Sequence, residues 1–352
     1  MAYHTYLTVL IPCIVAFVLS VIAVLFIKSY MFEAGITSPD HNKRDKPTVP
    51  SSGGVAVAFG FTIGILTYIF GASFPSPTSA LYAPVSPIES LFAALLAVLL
   101  VAFVGFLDDV NVKRKPVMTT DMMDTRKGLK QWQKPLLTLI GAIPLVAINA
   151  GVTVVRIPFL GPVNFGLLYP LLIIPLAVIF AANAFNLLGG FDGIAGGTGL
   201  VITLGMFLYS IIYGTYAGAL LTGVLSASII AFLLFNIYPS KITPGDSFTY
   251  GVGTVIVVAA VLGNMESFGL VVFIPYIIEF ILHARKKFKV TDLGKLRKDG
   301  TFEPPYGKKI YSWTHVIMNL KRCREWEVSL YMWLIEFGFV ALAFGLKAAS
   351  LL

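Results

Sequence analysis

Residues 91–110 read LFAALLAVLLVAFVGFLDDV, an apolar run that ends in two adjacent aspartates. A helix needs about 20 mostly apolar residues to cross the hydrocarbon core of a bilayer, so this run predicts a membrane-spanning helix. A carboxylate at the bilayer centre costs about 3 kcal/mol on insertion scales. The two aspartates therefore mark the end of the helix and indicate polar chemistry at the membrane surface.

The rest of the chain repeats this pattern. Only 12% of the 352 residues are charged and 57% are hydrophobic, whereas soluble domains carry about 25% charged residues. We expect an all-α integral membrane protein, a single transmembrane domain over residues 1–352 with about ten transmembrane helices. The apolar blocks are 5–30, 53–72, 88–107, 134–150, 167–185, 194–213, 216–236, 249–264, 267–283 and 327–349.

Basic residues predict the orientation of these helices. Nearly all of the 26 Lys and Arg residues fall in alternate loops, and the largest of these loops is the region 284–325. The opposite face receives only Arg156 and Lys347. Such a bias places the basic loops in the cytoplasm, so we expect a multi-pass protein of the cell membrane with both termini outside. Residues 152–165, with β-forming residues around Gly161-Pro162, predict a short β-hairpin on the outer side.

Acidic and amide side chains gather at the inner ends of the predicted helices. If the side chains share one site, their oxygen atoms favour Mg²⁺, Mn²⁺ or Ca²⁺ over zinc. The alternative is that each aspartate simply lies in solvent at the end of its own helix. Four aspartates at one level favour a shared site over this alternative. The residues concerned are Asp108, Asp109, Asp192, Asp246, Asn183, Asn186 and Asn236.

Three further polar stretches accompany the Asp108-Asp109 pair. Residues 183–197 read NAFNLLGGFDGIAGG, and their glycines allow a ligand to approach the backbone closely. Residues 244–250 read PGDSFTY and place Asp246 near a helix N-terminus. Residues 40–54 read DHNKRDKPTVPSSGG. Each stretch alone is weak evidence, but all of them lie on the same predicted face.

In this order and on these loops, the four stretches resemble the polyprenyl-phosphate N-acetylhexosamine-1-phosphate transferase family over nearly the whole chain. His283-Ala284-Arg285-Lys286-Lys287 stands where the bacterial branch has a histidine triplet, and it is similar to the Arg-rich stretch of the dolichyl-phosphate branch. The resemblance implies an archaeal enzyme with cytoplasmic active-site loops. It would transfer N-acetylglucosamine 1-phosphate from UDP-N-acetylglucosamine to dolichyl phosphate and release UMP, the first step of lipid-linked glycan assembly for N-glycosylation.

The resemblance also implies residue roles. Asn186 and Asp246 would bind Mg²⁺, or Mn²⁺ in its place. Asp108 and Asp109 would act beside the acceptor phosphate, and Lys134 would neutralise phosphate as a point charge. The residues expected to contact the UDP-sugar, with Asp192 at the uracil, are Lys43, Asn183, Gly189, Gly190, Asp192, Arg285 and Lys287.

Other readings of the sequence remain open. The same chemistry could use another UDP-N-acetylhexosamine or undecaprenyl phosphate. An ion-coupled transporter also carries acidic residues and broken helices, but it places them near the midplane and within repeated halves. Glu279 and Glu336 fall inside predicted spans, and we expect them to pair with other helices or to lie at a homodimer interface. The expected partners are a UDP-sugar, a polyprenyl phosphate and the membrane, and no nucleic acid.

Overall fold

The computed structural model describes residues 2–74, 87–110, 117–119, 122–124, 128–213 and 216–352. Five basic residues that contribute to the predicted orientation lie outside the described residues: Lys113, Arg114, Lys115, Arg126 and Lys127. The helices, numbered in chain order, are α1 (Ala2–Glu33), α2 (Gly54–Ser73), α3 (Ile88–Val110), α4 (Gln133–Thr138), α5 (Ile143–Ala147), α6 (Ile174–Phe185), α7 (Ile194–Tyr213), α8 (Tyr216–Asn236), α9 (Gly245–Leu262), α10 (Glu266–Val272), α11 (Ile274–Ala284), α12 (Trp313–Leu320) and α13 (Glu325–Ala348).

Strands are few and short. In the described ranges the strands form antiparallel pairs, β1 with β2, β3 with β4, β5 with β6 and β7 with β8. Their bounds are β1 (Thr37–Pro39), β2 (Thr48–Pro50), β3 (Val117–Thr119), β4 (Met122–Asp124), β5 (Val154–Ile157), β6 (Gly161–Asn164), β7 (Lys295–Leu296) and β8 (Phe302–Glu303).

The apolar helices confirm a multi-pass membrane fold. Among the described residues, 7 helices are long and apolar enough to span a bilayer, namely α1 from Thr8 onward, α2, α3, α7, α8, α9 and α13. The pair α10 and α11, bent by 52°, brings the number to 8 if it is one span. The two remaining predicted blocks coincide with shorter apolar helices at Gln133–Ala147 and Tyr169–Phe185.

Proline explains why three of the predicted blocks are not straight helices. Pro144 lies at the start of α5, after a 3-10 turn at Leu139–Ala142, and Pro275 lies at the start of α11, just after the bend. Pro170 lies at the start of the π-helical turn Tyr169–Ile173, and Pro175 lies in the first turn of α6, which follows it. Proline lacks a backbone N–H and its ring clashes with the preceding turn, so it begins a helix more readily than it continues one.

Helix α9 lies at the centre of the bundle. It packs against α2, α3, α6 and α8. The closest approach to α3 is at Gly105, where a Cβ atom would overlap the backbone of Asp246 and Ser247. The absence of a side chain at Gly105 therefore brings the polar end of α3 directly against the first turn of α9.

A β-hairpin lies at the other end of α9. Strands β5 and β6 pair Arg156 with Pro162 and Ile157 with Gly161, and β5 contacts α10. The hairpin is confirmed, but Gly161-Pro162 begins the second strand, and the turn itself is at 158–160. The 18 residues of α9 separate this end from Asp246 by about 27 Å.

The two acidic residues inside spans are both fully buried within one chain. Glu279 accepts hydrogen bonds from His283 Nε2 at 3.0 Å and from Trp313 N at 2.9 Å, and it thereby ties α11 to α12. Glu336 is buried on α13, and its carboxylate has no hydrogen-bond partner among the described residues. Glu279 thus pairs with another helix, the first of the two alternatives from the sequence. Neither side chain reaches the surface of the chain, so the second alternative, a homodimer contact, has no support at these two residues.

Candidate active site

Asp109, in the last turn of α3, holds the start of α9. Its Oδ1 accepts the N–H of Asp246 at 2.7 Å, and its Oδ2 accepts the N–H and the hydroxyl of Ser247 at 3.2 and 2.9 Å. The first N–H groups of a helix have no partner within the helix, and a carboxylate is a favourable partner there. This cap explains why α9 begins at Gly245, ahead of the predicted block at 249.

Lys134, in the first turn of α4, lies between two other carboxylates. Its Nζ is 2.6 Å from Asp108 Oδ2 and 3.1 Å from Asp246 Oδ2. Asp108 also accepts the N–H of Leu129 at 2.5 Å through Oδ1. The Asp246 side chain is 26% exposed, against 3% for Asp108. Of the two carboxylates paired with Lys134, Asp246 is therefore the one that remains open to a ligand.

A cavity of about 310 Å³ opens beside Asp246, a volume at the lower end of the range for small-molecule sites. All four polar stretches of the sequence contribute to its wall. The lining residues are Ser38, Pro39, Asp40, His41, Asn42, Ser51, Asp109, Asn186, Gly189, Gly190, Phe191, Asp192, Asn236, Thr243, Pro244, Gly245, Asp246, Thr249, Asp292 and Leu293.

The two asparagines of the second stretch have different surroundings. Asn186 lines the cavity, accepts the Thr249 hydroxyl at 2.8 Å and has its amide nitrogen beside the Asp246 carboxylate. Asn183 does not line the cavity, and its amide donates to Thr138 Oγ1 at 2.9 Å. Because Thr138 ends α4, Asn183 holds in place the helix that carries Lys134. A role for Asn183 in substrate binding stays a prediction.

Lys43 is surrounded by carboxylates and is not part of the cavity wall. Its Nζ lies 3.1 Å from Asp40, 2.8 Å from Asp192 and 2.5 Å from Glu325. Burial alone would lower the pKa of Lys43, but the hydrogen bonds to Asp192 and Glu325 hold it above its ordinary value. Lys43 is thus a cation held by the protein, and its predicted contact with the substrate stays a prediction.

Asp192 lines the same cavity as Asp246, whereas Lys134 is not among the lining residues. Its Oδ2 accepts Lys43 Nζ and the N–H of Ser240 at 2.9 Å. Burial raises the pKa of Asp192, and these two donors offset only part of that effect. The carboxylate is held on one side by the protein and faces the cavity on the other, an arrangement suited to accepting a hydrogen bond from a ligand.

The Gly189-Gly190 turn already carries a carboxylate. Both backbone N–H groups donate to Asp292 Oδ2, at 3.0 and 2.7 Å. Asp292 belongs to the loop between α11 and α12, and Thr314 holds its backbone by donating to its carbonyl oxygen at 2.5 Å. The glycine amides act as hydrogen-bond donors, and in this structure the acceptor comes from the chain itself. Contact of Gly189 and Gly190 with the UDP-sugar stays a prediction.

Arg285 and Lys287 lie apart from the cavity. Arg285 donates to the carbonyl of Ile310 at 3.3 Å, and its guanidinium lies 5.4 Å from the ring centre of Tyr311. Lys287 is exposed. Their predicted contacts with the diphosphate stay predictions.

Sequence reasoning missed two carboxylates that organise this site. Asp292 lies among basic residues of the region 284–325, and Glu325 precedes the apolar block at 327. Neither belongs to a recognisable stretch, and each acts through partners more than 100 residues away in the chain. The one signal available was that Glu325 lies at the end of a predicted span, at the same level as the other acidic residues.

Helix α12, which follows the loop that carries Asp292, contains a buried histidine whose titration should affect stability. His315 is 0% exposed, its Nδ1 accepts the N–H of Tyr311 at 3.2 Å, and burial lowers its pKa to about 4. Between its ordinary pKa of 6.5 and about 4, the unfolded chain binds a proton that the folded chain does not. Stability therefore falls as pH decreases through this window.

We expect His315→Gln to flatten this pH dependence, because glutamine does not titrate. Thermal unfolding of the purified protein in detergent, followed from pH 7 to pH 4, measures the effect. The midpoint should fall less steeply with acidification in the variant than in the wild type. Equal slopes in the two proteins would contradict the assignment of a neutral, buried His315.

Comparisons with known proteins identify relatives of this chain. The model of glycosyl transferase family 4 matches residues 91–264, a range that includes Asp108, Asp109, Lys134, Asn186 and Asp246. A protein of Saccharolobus solfataricus is 31% identical over 98% of both chains, and it is provisionally named a UDP-N-acetylglucosamine–dolichyl-phosphate N-acetylglucosaminephosphotransferase.

More distant relatives carry two kinds of name. The UDP-N-acetylglucosamine–dolichyl-phosphate N-acetylglucosaminephosphotransferase of Dictyostelium discoideum is 25% identical over 78% of this chain and 71% of its own length. The phospho-N-acetylmuramoyl-pentapeptide-transferase of Clostridium perfringens is 31% identical over 55% of this chain and 59% of its own length.

Proposed function

We propose a function on the premise that this chain belongs to glycosyl transferase family 4, as its match to the family model and its full-length relative show. The proposed reaction transfers N-acetylglucosamine 1-phosphate from UDP-N-acetylglucosamine to dolichyl phosphate. The products are N-acetylglucosaminyl-diphosphodolichol and UMP. The names of the archaeal and Dictyostelium relatives support this choice of substrates.

The observation that carries the proposal is the single cavity shared by four separated stretches of sequence. Asp246 and Asn186 lie in one part of its wall, and Asp192 lies in another. A nucleotide-sugar needs both a site for its diphosphate and a site for its base. The cavity offers a carboxylate-amide pair for a metal-bound diphosphate and a fixed carboxylate for the N–H of a uracil ring.

A magnesium ion would fit the donor set at Asn186 and Asp246. In the part of the chain that the structure describes, no group of three or more His, Cys, Asp or Glu side chains is suited to a metal. Mg²⁺ often binds one or two protein oxygens and completes its shell with water and substrate phosphates. Around Lys134, the carboxylates of Asp108, Asp109 and Asp246 outnumber the single ammonium, and this excess negative charge also favours a cation.

The amide of Asn186 would have to turn for this role. In the structure its nitrogen faces Asp246 and its oxygen faces Thr249. The two ends of an amide are assigned from their hydrogen bonds, and a threonine hydroxyl can donate or accept. If the amide turned by about 180°, its nitrogen would donate to the Thr249 hydroxyl. Its oxygen would then face the Asp246 carboxylate, so that both residues would offer an oxygen to a cation between them. When bound there, Mg²⁺ would neutralise the diphosphate and the departing UMP.

The geometry favours direct attack by the lipid phosphate. Asp109 is occupied by three donors of α9, and Asp108 is bound to Lys134 and to the N–H of Leu129. Neither carboxylate is free to act as a nucleophile. A phosphate monoester is largely dianionic at pH 7 because its second pKa is about 6, so its oxygen can attack the sugar-bearing phosphorus unaided. The bond from that phosphorus to the bridging oxygen then breaks, and UMP leaves with the oxygen.

We further propose that the site faces the cytoplasm, with both termini and the β5–β6 hairpin outside. The strong bias of Lys and Arg supports this orientation. The cavity lies at the end of α9 that carries the basic loops, while Arg156 lies at the other end, beside α10. A cytoplasmic UDP-sugar and the phosphate head of a membrane lipid could both reach such a site.

The reaction can be tested in membranes that contain the expressed protein. With radiolabelled UDP-N-acetylglucosamine and dolichyl phosphate, we expect a tunicamycin-sensitive lipid product, release of UMP and dependence on Mg²⁺. No such product, together with a product from another UDP-sugar, would overturn the choice of sugar. A phosphorylated aspartate isolated after addition of UDP-sugar without lipid would overturn direct attack.

A second candidate is the same chemistry on undecaprenyl phosphate or with another UDP-N-acetylhexosamine. The name of the Clostridium relative specifies a muramoyl pentapeptide. For this reason the second candidate reaction should be included in the assay. The apolar surfaces that would hold a polyprenyl tail do not distinguish the two lipids. Parallel reactions with dolichyl and undecaprenyl phosphate at equal concentration decide between them.

A further inference from the structure

The last helix binds the turn that carries Asp192 through three side chains on one face. Glu325 Oε1 accepts the N–H of Asp192 at 3.2 Å, and Ser329 Oγ donates to the carbonyl of Asp192 at 2.7 Å. Trp333 Nε1 donates to the carbonyl of Gly193 at 3.1 Å. Residues four apart stack on the same face of a helix. Helix α13 therefore fixes three backbone groups of two consecutive residues in this turn.

Two glycines allow this close approach. Gly193 has φ +74°, a conformation that favours glycine. At Gly197, a Cβ atom would overlap the indole ring of Trp333. The turn and the first residues of α7 are thus shaped to receive α13.

Glu325 also binds a second loop, the one that carries Asn42 and Lys43. Its Oε2 lies 2.5 Å from Lys43 Nζ, and its Oε1 accepts the side-chain amide of Asn42 at 3.1 Å. Asn42 and Lys43 lie between β1 and β2, and Lys43 in turn contacts the carboxylate of Asp192. One buried carboxylate, only 3% exposed, thus connects both loops at this end of the cavity.

None of the three α13 side chains lines the cavity. They can influence a ligand only through Asp192, Asn42 and Lys43. Lys43 pairs with three carboxylates of the protein, and in the structure its ammonium group is directed to them and not to a substrate phosphate.

We propose that Glu325, Ser329 and Trp333 of α13 are positioning residues that set the affinity for the nucleoside part of the UDP-sugar. They hold the Asp192 carboxylate and the Asn42-Lys43 loop in the geometry that binds this part, without touching it. The diphosphate end, around Asp246 and Lys134, is held by other helices. This inference rests on the proposed function, because it assigns the Asp192 end of the cavity to the nucleoside.

Glu325→Gln tests the proposal, with Glu327→Gln as its matched control. The variant keeps the shape of the side chain but loses the charge that holds Lys43. Glu327 lies two residues further on, about 200° around the helix. There it caps α13 by accepting the N–H of Arg324, and glutamine is an accepted residue at this position of a capping box. The measurements are UMP binding by titration calorimetry, and KM and kcat for UDP-N-acetylglucosamine and dolichyl phosphate.

We expect Glu325→Gln to raise the Kd for UMP and the KM for UDP-N-acetylglucosamine by about tenfold or more, the effect of one charge-assisted hydrogen bond. The kcat at saturating UDP-sugar and the KM for dolichyl phosphate should change by less than about threefold. Glu327→Gln should match the wild type. A merely structural defect would instead lower the active fraction and hence kcat, and leave KM unchanged.

Ser329→Ala decides the question if Glu325→Gln fails to fold. It removes one hydrogen bond to the Asp192 carbonyl and should raise the Kd for UMP about threefold to tenfold. Wild-type affinity for UMP in a folded Glu325→Gln or Ser329→Ala protein would overturn the inference. Failure of the wild-type protein to bind any uridine nucleotide would instead contradict the proposed function.

Discussion

Asp246→Asn should lower turnover by about a thousandfold or more and remove most of the dependence on Mg²⁺. Asp246 is the exposed carboxylate of the cluster around Lys134, and it lines the cavity beside Asn186. Asparagine has the same shape but carries no charge, so it weakens the binding of a cation and of the diphosphate that accompanies it. Turnover measured as a function of Mg²⁺ concentration tests this expectation.

The control for Asp246→Asn is the same substitution at Asp299. That residue lies in the exposed turn between β7 and β8, where it accepts hydrogen bonds from Thr301. Asp299→Asn should have wild-type turnover. The Asp246→Asn protein should unfold at a temperature close to that of the wild type, because Asp109 still caps α9. Unchanged turnover and unchanged Mg²⁺ dependence in that variant would remove Asp246 from the metal site.

The adjacent aspartates show what a sequence can and cannot predict. Both were expected near the acceptor phosphate, because nothing in the sequence distinguishes one from the other. Successive residues on a helix point about 100° apart, and at the end of α3 this turns Asp109 toward α9 and Asp108 toward α4. Their roles therefore depend on which helix packs on each side, and that information lies in residues far along the chain.

Hydropathy predicted the helices well because a bilayer imposes their length and composition. It was less accurate where polar residues belong to helices, as at Asp246, and where proline interrupts an apolar run, as at Pro275. The residues that line the cavity were largely predictable, because unusual polar stretches stood at helix ends. The residues that hold them, such as Asp292 and Glu325, were not, since a single carboxylate in a loop has no pattern of its own.

Lys134→Gln should both inactivate and destabilise the protein. Lys134 is the cation that separates Asp108 from Asp246, at 2.6 and 3.1 Å. Without it, two carboxylates repel each other in a mostly buried site, and removing one partner of a buried ion pair costs about 3 kcal/mol or more. Turnover should fall by about a thousandfold, because the phosphate groups lose a fixed positive charge. Thermal unfolding in detergent measures the loss of stability, and the lipid-product assay measures the loss of turnover. The matched control is Lys130→Gln, at an exposed residue nearby.

A second substitution separates the two effects of Lys134. In Lys134→Gln/Asp108→Asn, one of the repelling charges is gone, so the unfolding temperature should return close to that of Asp108→Asn alone. Turnover should not return, because neutralising Asp108 does not supply a cation to the reacting phosphates. If the double variant regained activity, Lys134 would serve only to keep the carboxylates apart. If Lys134→Gln alone were stable and active, the ion-paired cluster would not be part of the catalytic site.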